Sequence, residues 1–148
     1  CEEDKTLTFK RSRTLGCPGE GYEVGRYSGS IHDPVNQASM YTGILFDQTV
    51  EAQGRSLDSF CKEKSIGHID FIWMDTQGAE REVLGGMKEN YTNIDYIYTE
   101  YYNEEMYKDQ IYLNGIVEML SENFDLLATF PFTDCQGGDA LFKNKKIP

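Results

Sequence analysis

Apolar residues follow two different rhythms along this chain, and the change falls near residue 55. Beyond it, short apolar runs alternate with stretches of helical spacing. Ile69-Asp-Phe-Ile-Trp-Met-Asp75 has the length and the β-branched and aromatic character of a buried strand. Ala79, Val83 and Met87 then recur at helical spacing, and Gly85-Gly86 weakens the end of that helix. Ile94-Asp-Tyr-Ile-Tyr-Thr-Glu100 predicts a second strand, and the pattern assigns Trp73, Tyr96 and Tyr98 to the core. Leu113, Ile116, Val117 and Leu120 stand at i, i+3, i+4 and i+7, which predicts an amphipathic helix over 110–122. A strand over 124–132, interrupted at Pro131, and a short last strand over 139–143 complete the series.

The first third reads differently. Residues 7–9 and 48–53 look like short strands. Ser56 suits the N-cap of a helix running to about residue 64, with Leu57, Phe60 and Cys61 on one face. Residues 10–43 are rich in Gly, Ser, Pro, Tyr and Asn without sustained periodicity, and predict loops and short extended pieces. The chain thus reads as one α/β domain over 1–148: a loop-rich segment (10–43) beside an α/β core (44–143). Strand, helix, strand, helix, strand implies parallel central strands with right-handed crossovers. The segment 133–138 is too short for a crossover helix, so the last two strands should pair antiparallel.

Length and charge narrow the function classes. With 148 residues, the chain can bury roughly 68–70% of its unfolded surface. Its net charge of −11 and lack of any basic run disfavour nucleic acid and anionic membrane as partners. No apolar run approaches the roughly 20 residues that span a bilayer. No signal peptide opens the chain, and its first residue is Cys1, so a processed product or fragment is expected. The four cysteines, Cys1, Cys17, Cys61 and Cys135, form no C-x-x-C pair, which disfavours zinc. Cys61 reads as a small packed hydrophobe, and reduced thiols in a cytoplasmic setting are expected.

Candidate chemistry gathers at the ends of the two central strands. Asp75 and Glu100 each close an apolar strand, and a βαβ unit places both at one sheet edge. Neighbouring strands lie about 4.8 Å apart, so the two carboxylates could share a ligand, a metal or a proton. In open α/β sheets ligands sit at the carboxyl ends of strands. Glu80 follows on the first helical turn, where it could equally cap the helix dipole. Gly78 permits a tight turn, and Gln77 could bond a ligand or face water. Tyr101 and Tyr102 follow Glu100 and could line a pocket. Gly19-Glu-Gly21-Tyr-Glu-Val-Gly25 lacks the strand and helix that a phosphate loop needs, and reads as a plain loop. His32 and His68 have no partner at ligand or triad spacing, so Ser-His-Asp chemistry is unsupported. Asn90-Tyr-Thr92 is a glycosylation sequon by pattern alone.

These residues resemble a known family. Arg55-Ser-Leu-Asp-Ser-Phe60, the run from Ile69 through Asp75-Thr-Gln-Gly-Ala-Glu80, and Val83-Leu-Gly-Gly86 are similar to the FkbM methyltransferases. The pattern is a Leu-Asp helix start, a strand ending in Asp-x-(Glu/Gln)-Gly-x-Glu, then Val-Leu-x-Gly, and a later strand ending in Glu. Residues 7–9 after Glu-Glu-Asp also resemble the segment that follows the family's third strand. The match is good over residues 50–143 and weak over 1–49. Trp73 stands where Lys is frequent, and Gln77 where Glu is commoner.

The resemblance implies a partial Rossmann-like class I methyltransferase fold, with strand 139–143 between 94–100 and 124–132. It implies S-adenosylmethionine as cofactor, contacted by Asp75, Thr76, Gln77 and Gly78, and O-methylation of a small-molecule or sugar hydroxyl. Asp75, Glu80 and Glu100 would be pocket or base residues. The family's first strand, acidic-glycine cofactor loop and ribose-binding acid would precede residue 1, so an inactive C-terminal two-thirds is expected. The outer edge of strand 69–75 would then need covering, by the N-terminal third or by a second subunit. Two rivals stand beside this reading. One is a binding or assembly module without chemistry. The other is a metal or hydrolase site on Asp75, Glu80 and Glu100, with a divalent ion in reach of at least two of them.

Overall fold

The computed structural model describes residues 1–14, 28–36, 43–133 and 136–148. The Gly19–Gly25 loop, Cys17 and Cys135 lie outside them. Two sheets form. Strands β1 (Lys5–Thr14) and β2 (Ile44–Gly54) make an antiparallel ribbon, and β3 (Ile69–Met74), β4 (Ile94–Tyr102), β5 (Phe124–Pro131) and β6 (Gly137–Asn144) make a sheet in the order β3-β4-β6-β5. The fold is therefore α/β with a mixed sheet: β3 and β4 are parallel, and β6 runs antiparallel to both β4 and β5. β6 lies between β4 and β5, as the resemblance implies.

The ribbon corrects the reading of the first third. β1 reaches Thr14, and β2 begins at Ile44, well outside the short strands expected at 7–9 and 48–53. Its register runs from Lys5 opposite Gly54 to Thr14 opposite Ile44, with a bulge near Arg11 and Arg13. Most of β2 is exposed on both faces. Cross-strand pairs hold it, such as Thr8 with Glu51 and Arg13 with Asp47. A ribbon made of such pairs has no apolar alternation for a sequence reading to find.

The helices follow their caps. Helix α1 (Leu57–Lys64) starts where Ser56 accepts a bond from the Ser59 N–H and ends at Ser65 in the left-handed region. Cys61 is its buried residue, as expected. Asp4 accepts from the Ser56 N–H and the Ser59 hydroxyl, tying the chain start to this cap. The stretch 79–87 is only a short helix α2 (Glu80–Gly85) followed by a 3-10 turn, Lys88–Asn93. Helix α3 (Leu113–Leu120) is shorter than the 110–122 expected. The sequon residue Asn90 has its side-chain nitrogen on Asp58 Oδ1, a structural engagement.

One face of the four-stranded sheet is covered and the other is not. Ile97 and Phe142 join Leu84, Met87, Ile116 and Leu120 in the core, and Met74 with Ile72 brings in β3. The alternate positions point away from it. Trp73 is 76% exposed and Phe71 51%, and Tyr96 and Tyr98 are half-buried. Assigning Trp73, Tyr96 and Tyr98 to the core is thus corrected: that assignment presumes two covered faces, as parallel sheets usually have. Phe71, Trp73 and Phe130 surround Tyr98, with ring centroids 6.4, 6.2 and 6.0 Å away.

Among the described residues, no strand pairs with the outer edge of β3. The ribbon β1–β2 forms a separate sheet, so the described strands of the N-terminal third do not cover that edge. A cleft of about 440 Å³ runs beside the edge, lined by Leu57, Phe60, Ile72, Trp73 and Met87, with Arg55, Ser56, Asp75 and Thr76 among its polar lining.

Candidate functional site

Register brings the expected carboxylates together. Met74, the last residue of β3, lies opposite Thr99, so Asp75 leaves the strand beside Glu100. β4 continues two residues past Glu100, to Tyr102. On its other side β6 sets Asp139 opposite Glu100. Asp75, Glu100 and Asp139 thus form one row across the sheet edge, on the same face as the row of Trp73, Tyr98 and Leu141 two positions back. Asp139 is a member that sequence reading missed, because the order β4-β6 is a tertiary outcome.

The turn after Asp75 is built from two left-handed residues, Gln77 (φ 52°) and Gly78 (φ 92°). Gly78 is required twice over: by its φ, and because a Cβ there would lie 2.6 Å from the Tyr107 Cβ. Gln77 adopts its conformation at a cost of roughly 1–2 kcal/mol, and four hydrogen bonds offset it. Its carbonyl accepts from the Ser30 hydroxyl at 2.7 Å, and its Oε1 accepts from the Tyr107 hydroxyl at 2.7 Å. Its Nε2 donates to Asp75 Oδ1 at 2.5 Å and to Glu100 Oε2 at 3.3 Å. The Gln77 carboxamide therefore bridges the two carboxylates.

Glu100 is the electrostatically unusual group. Burial, then the neighbouring charge of Asp75, push its pKa from the ordinary 4.5 up to about 8, against the Tyr102 hydroxyl that donates to Oε1 at 3.1 Å. A carboxyl held in this range can both give and take a proton near neutral pH. Asp75 is exposed and reaches the cleft. Glu80 has a different setting. It is 5% exposed, and its Oε1 accepts from the Thr76 N–H, the Thr76 hydroxyl and the Gly78 N–H at 3.3, 2.9 and 3.3 Å. Desolvation raises its pKa. These bonds hold the strand-to-helix turn, so Glu80 shapes the loop that carries Gln77.

Other expected residues go elsewhere. Tyr101 faces the core, correcting its assignment to a pocket, while Tyr102 does reach the site. Both histidines acquire acidic partners distant in sequence, contrary to the reading that they had none. His32 Nε2 lies 3.1 Å from Glu82 Oε1, and His68 Nε2 lies 3.2 Å from Asp95 Oδ2. The Glu82 carboxylate beside His32 raises its pKa. Among the described residues, the ligand atoms that lie together as a metal would need are those of the exposed His68 and Asp70 and the half-buried Asp95, at the opposite end of the strands. Asp75, Glu80 and Glu100 do not form such a group of three.

Sequence reasoning also missed Ser28, Ser30 and Tyr107. Residues 30–36 run along the loop 104–110: the Lys108 N–H donates to the Asp33 carbonyl and the Val35 N–H to the Met106 carbonyl. Gln110 Oε1 accepts from the Met106 and Tyr107 N–H groups, fixing that loop from inside. Tyr107 is fully buried between the two segments, and its hydroxyl also lies 2.9 Å from the Ser28 carbonyl. No local pattern marks it. The one signal was the crowding of tyrosines after Glu100.

Residues 16–130 match the sequence model of a family described as the methyltransferase FkbM domain. The chain is also 43% identical over 122 residues to the 2-O-methyltransferase NoeI of Sinorhizobium fredii (strain NBRC 101917 / NGR234). That alignment covers 81% of this chain and 48% of the relative, so the chain spans about half the relative's length. No solved structure matches the chain.

Proposed function

The chain belongs to the FkbM methyltransferase family, and on that premise we propose that it serves S-adenosylmethionine-dependent O-methylation of a small-molecule or sugar hydroxyl. The observation that carries the reading is Glu100: a half-buried carboxyl with a pKa near 8, beside Asp75, at the carboxyl ends of parallel strands. The unit β3–α2–β4 supports reading the sheet as part of a Rossmann-like, class I architecture. The named activity of the relative supports a hydroxyl oxygen as acceptor.

The residues present fit a sulfonium cofactor in two respects. The cleft has apolar walls (Leu57, Phe60, Ile72, Met87) for an uncharged body, and its lining includes Asp75, an anion for a cation, although the cation Arg55 lines it too. Asp75, Thr76, Gln77 and Gly78 form one turn, and we assign them to cofactor contact. When bound, the cofactor supplies an electrophilic methyl group. The chain's own part is acid–base and positional. Glu100 accepts the proton of the acceptor hydroxyl, and a positive charge nearby lowers its pKa toward readiness for that role. Asp75 orients the cation, and Glu80 keeps the turn in shape.

Trp73, the only tryptophan, lines the cleft and reports on it. Titration with S-adenosylmethionine should change its fluorescence with a dissociation constant on the order of millimolar, about −4 kcal/mol. Asp75→Asn should abolish the response. No response at saturating cofactor, or an unchanged one in D75N, overturns the reading.

A second reading has its own observation. The aromatic face and the bare edge of β3 together form an apolar patch of the kind that marks interaction sites. It favours a role in assembly, with a second subunit covering that edge, and is compatible with the enzymatic one.

A further inference from the structure

We propose that Tyr107 is a positioning residue: through the Gln77 carboxamide, it holds Asp75 and Glu100 together as one proton-sharing pair. The inference rests on the reading above for its catalytic meaning, and on geometry for its substance. A primary amide has one accepting and one donating end. The Tyr107 hydroxyl lies 2.7 Å from Gln77 Oε1 and 2.9 Å from the Ser28 carbonyl. Its one proton, shared between the two oxygens with the amide the nearer, occupies the accepting end and leaves Nε2 facing the carboxylates. Both Nε2 protons then have acceptors, one on Asp75 and one on Glu100. Were the amide reversed, its oxygen would face two acidic groups.

Tyr107 is suited to fix this choice because it cannot move. Its ring packs against Gly78, where even a methyl group would not fit. Its N–H is bonded to Gln110, and it pairs with Pro34 across the two loops. Gln77 by contrast sits at a left-handed φ on a turn, and its side chain depends on outside contacts for its direction. The groups facing Glu100 are Asp75 from the turn, Glu80 from α2, Asp139 from β6 and Tyr102 from β4 itself. Three of these four are acidic, so among the described residues a lost amide donor has no cationic replacement on these elements.

The test is a carboxyl-carbon NMR titration of the whole chain, with the Glu100 signal assigned by its loss in Glu100→Gln. Tyr107→Phe keeps the ring packing and removes only the hydroxyl. We expect it to raise the Glu100 midpoint by about one unit, a tenfold weaker acid, because the ionised form loses a donor and feels Asp75 more strongly. Gln77→Ala should raise it similarly, and the double variant should add nothing further. Glu100 shifting in Q77A but not in Y107F overturns the role of Tyr107. A Y107F protein that melts lower with an unchanged Glu100 midpoint shows a merely structural tyrosine and overturns it too. No cofactor is needed, so this outcome is independent of whether S-adenosylmethionine binds.

Discussion

The two faces of the four-stranded sheet carry similar residues and meet different fates. On β3 Met74 is buried while its neighbour Trp73 is exposed, and on β4 Ile97 is buried while its neighbours Tyr96 and Tyr98 are half-buried. Composition does not separate these faces. A covering layer does: α2, α3 and the 3-10 turn lie on one side, and among the described residues nothing comparable lies on the other. The acidic row adds a third situation. Glu100 belongs to the open face, yet the Asp75–Gly78 turn and Tyr102 withdraw it from water. Burial of an individual position here depends on what returns to cover it.

The largest expected effect tests the covered face. Phe142→Ala removes a fully buried ring from the centre of the core and should cost about 3–5 kcal/mol, read from urea unfolding midpoints. A cost near zero would mean that the core is not the one described.

Glu100 gives an intermediate effect and a sign. Its folded pKa of about 8 exceeds the ordinary 4.5, so the folded state holds this proton more tightly. The stabilisation is complete below pH 4.5 and disappears as pH rises to 8. Allowing for partial exposure, Glu100→Gln should recover roughly 2–3 kcal/mol at pH 9 and flatten the stability profile between those limits. A remaining decline belongs to His32 and the buried Glu80, whose raised pKa values make their contributions fade in the same direction. A profile identical to that of the parent chain would remove Glu100 from the account.

The smallest effect sharpens the comparison most. Trp73→Ala on a solvated face should change stability by no more than about 0.5 kcal/mol. A loss several times larger, together with concentration-dependent sedimentation of the parent chain that W73A abolishes, would show that a partner covers this face.

Much of the fold was legible in advance because the periodicities were strong. Strands 69–75 and 94–100, their parallel pairing and the antiparallel close all reflect apolar runs and loop lengths. The β1–β2 ribbon was mostly invisible, since its polar cross-strand pairs mimic loop composition. At the site, Asp75 and Glu100 could be paired from strand ends alone. Asp139 could not, because its place depends on β6 inserting beside β4. Glu80 was legible as a first-turn acid, while its attachment to Thr76 and Gly78 required the path of the turn. Tyr107 lay furthest from any reading, since its partners come from segments 30 and 79 residues away.

The sequence by itself determined the βαβ unit, the acidic strand ends and the family to which they belong, all of which rest on local spacing and short motifs. Tertiary structure alone decided which side of each strand is buried, which charges become neighbours, and where a proton is held. Those properties depend on distances between segments remote in sequence, and on the water that their packing excludes.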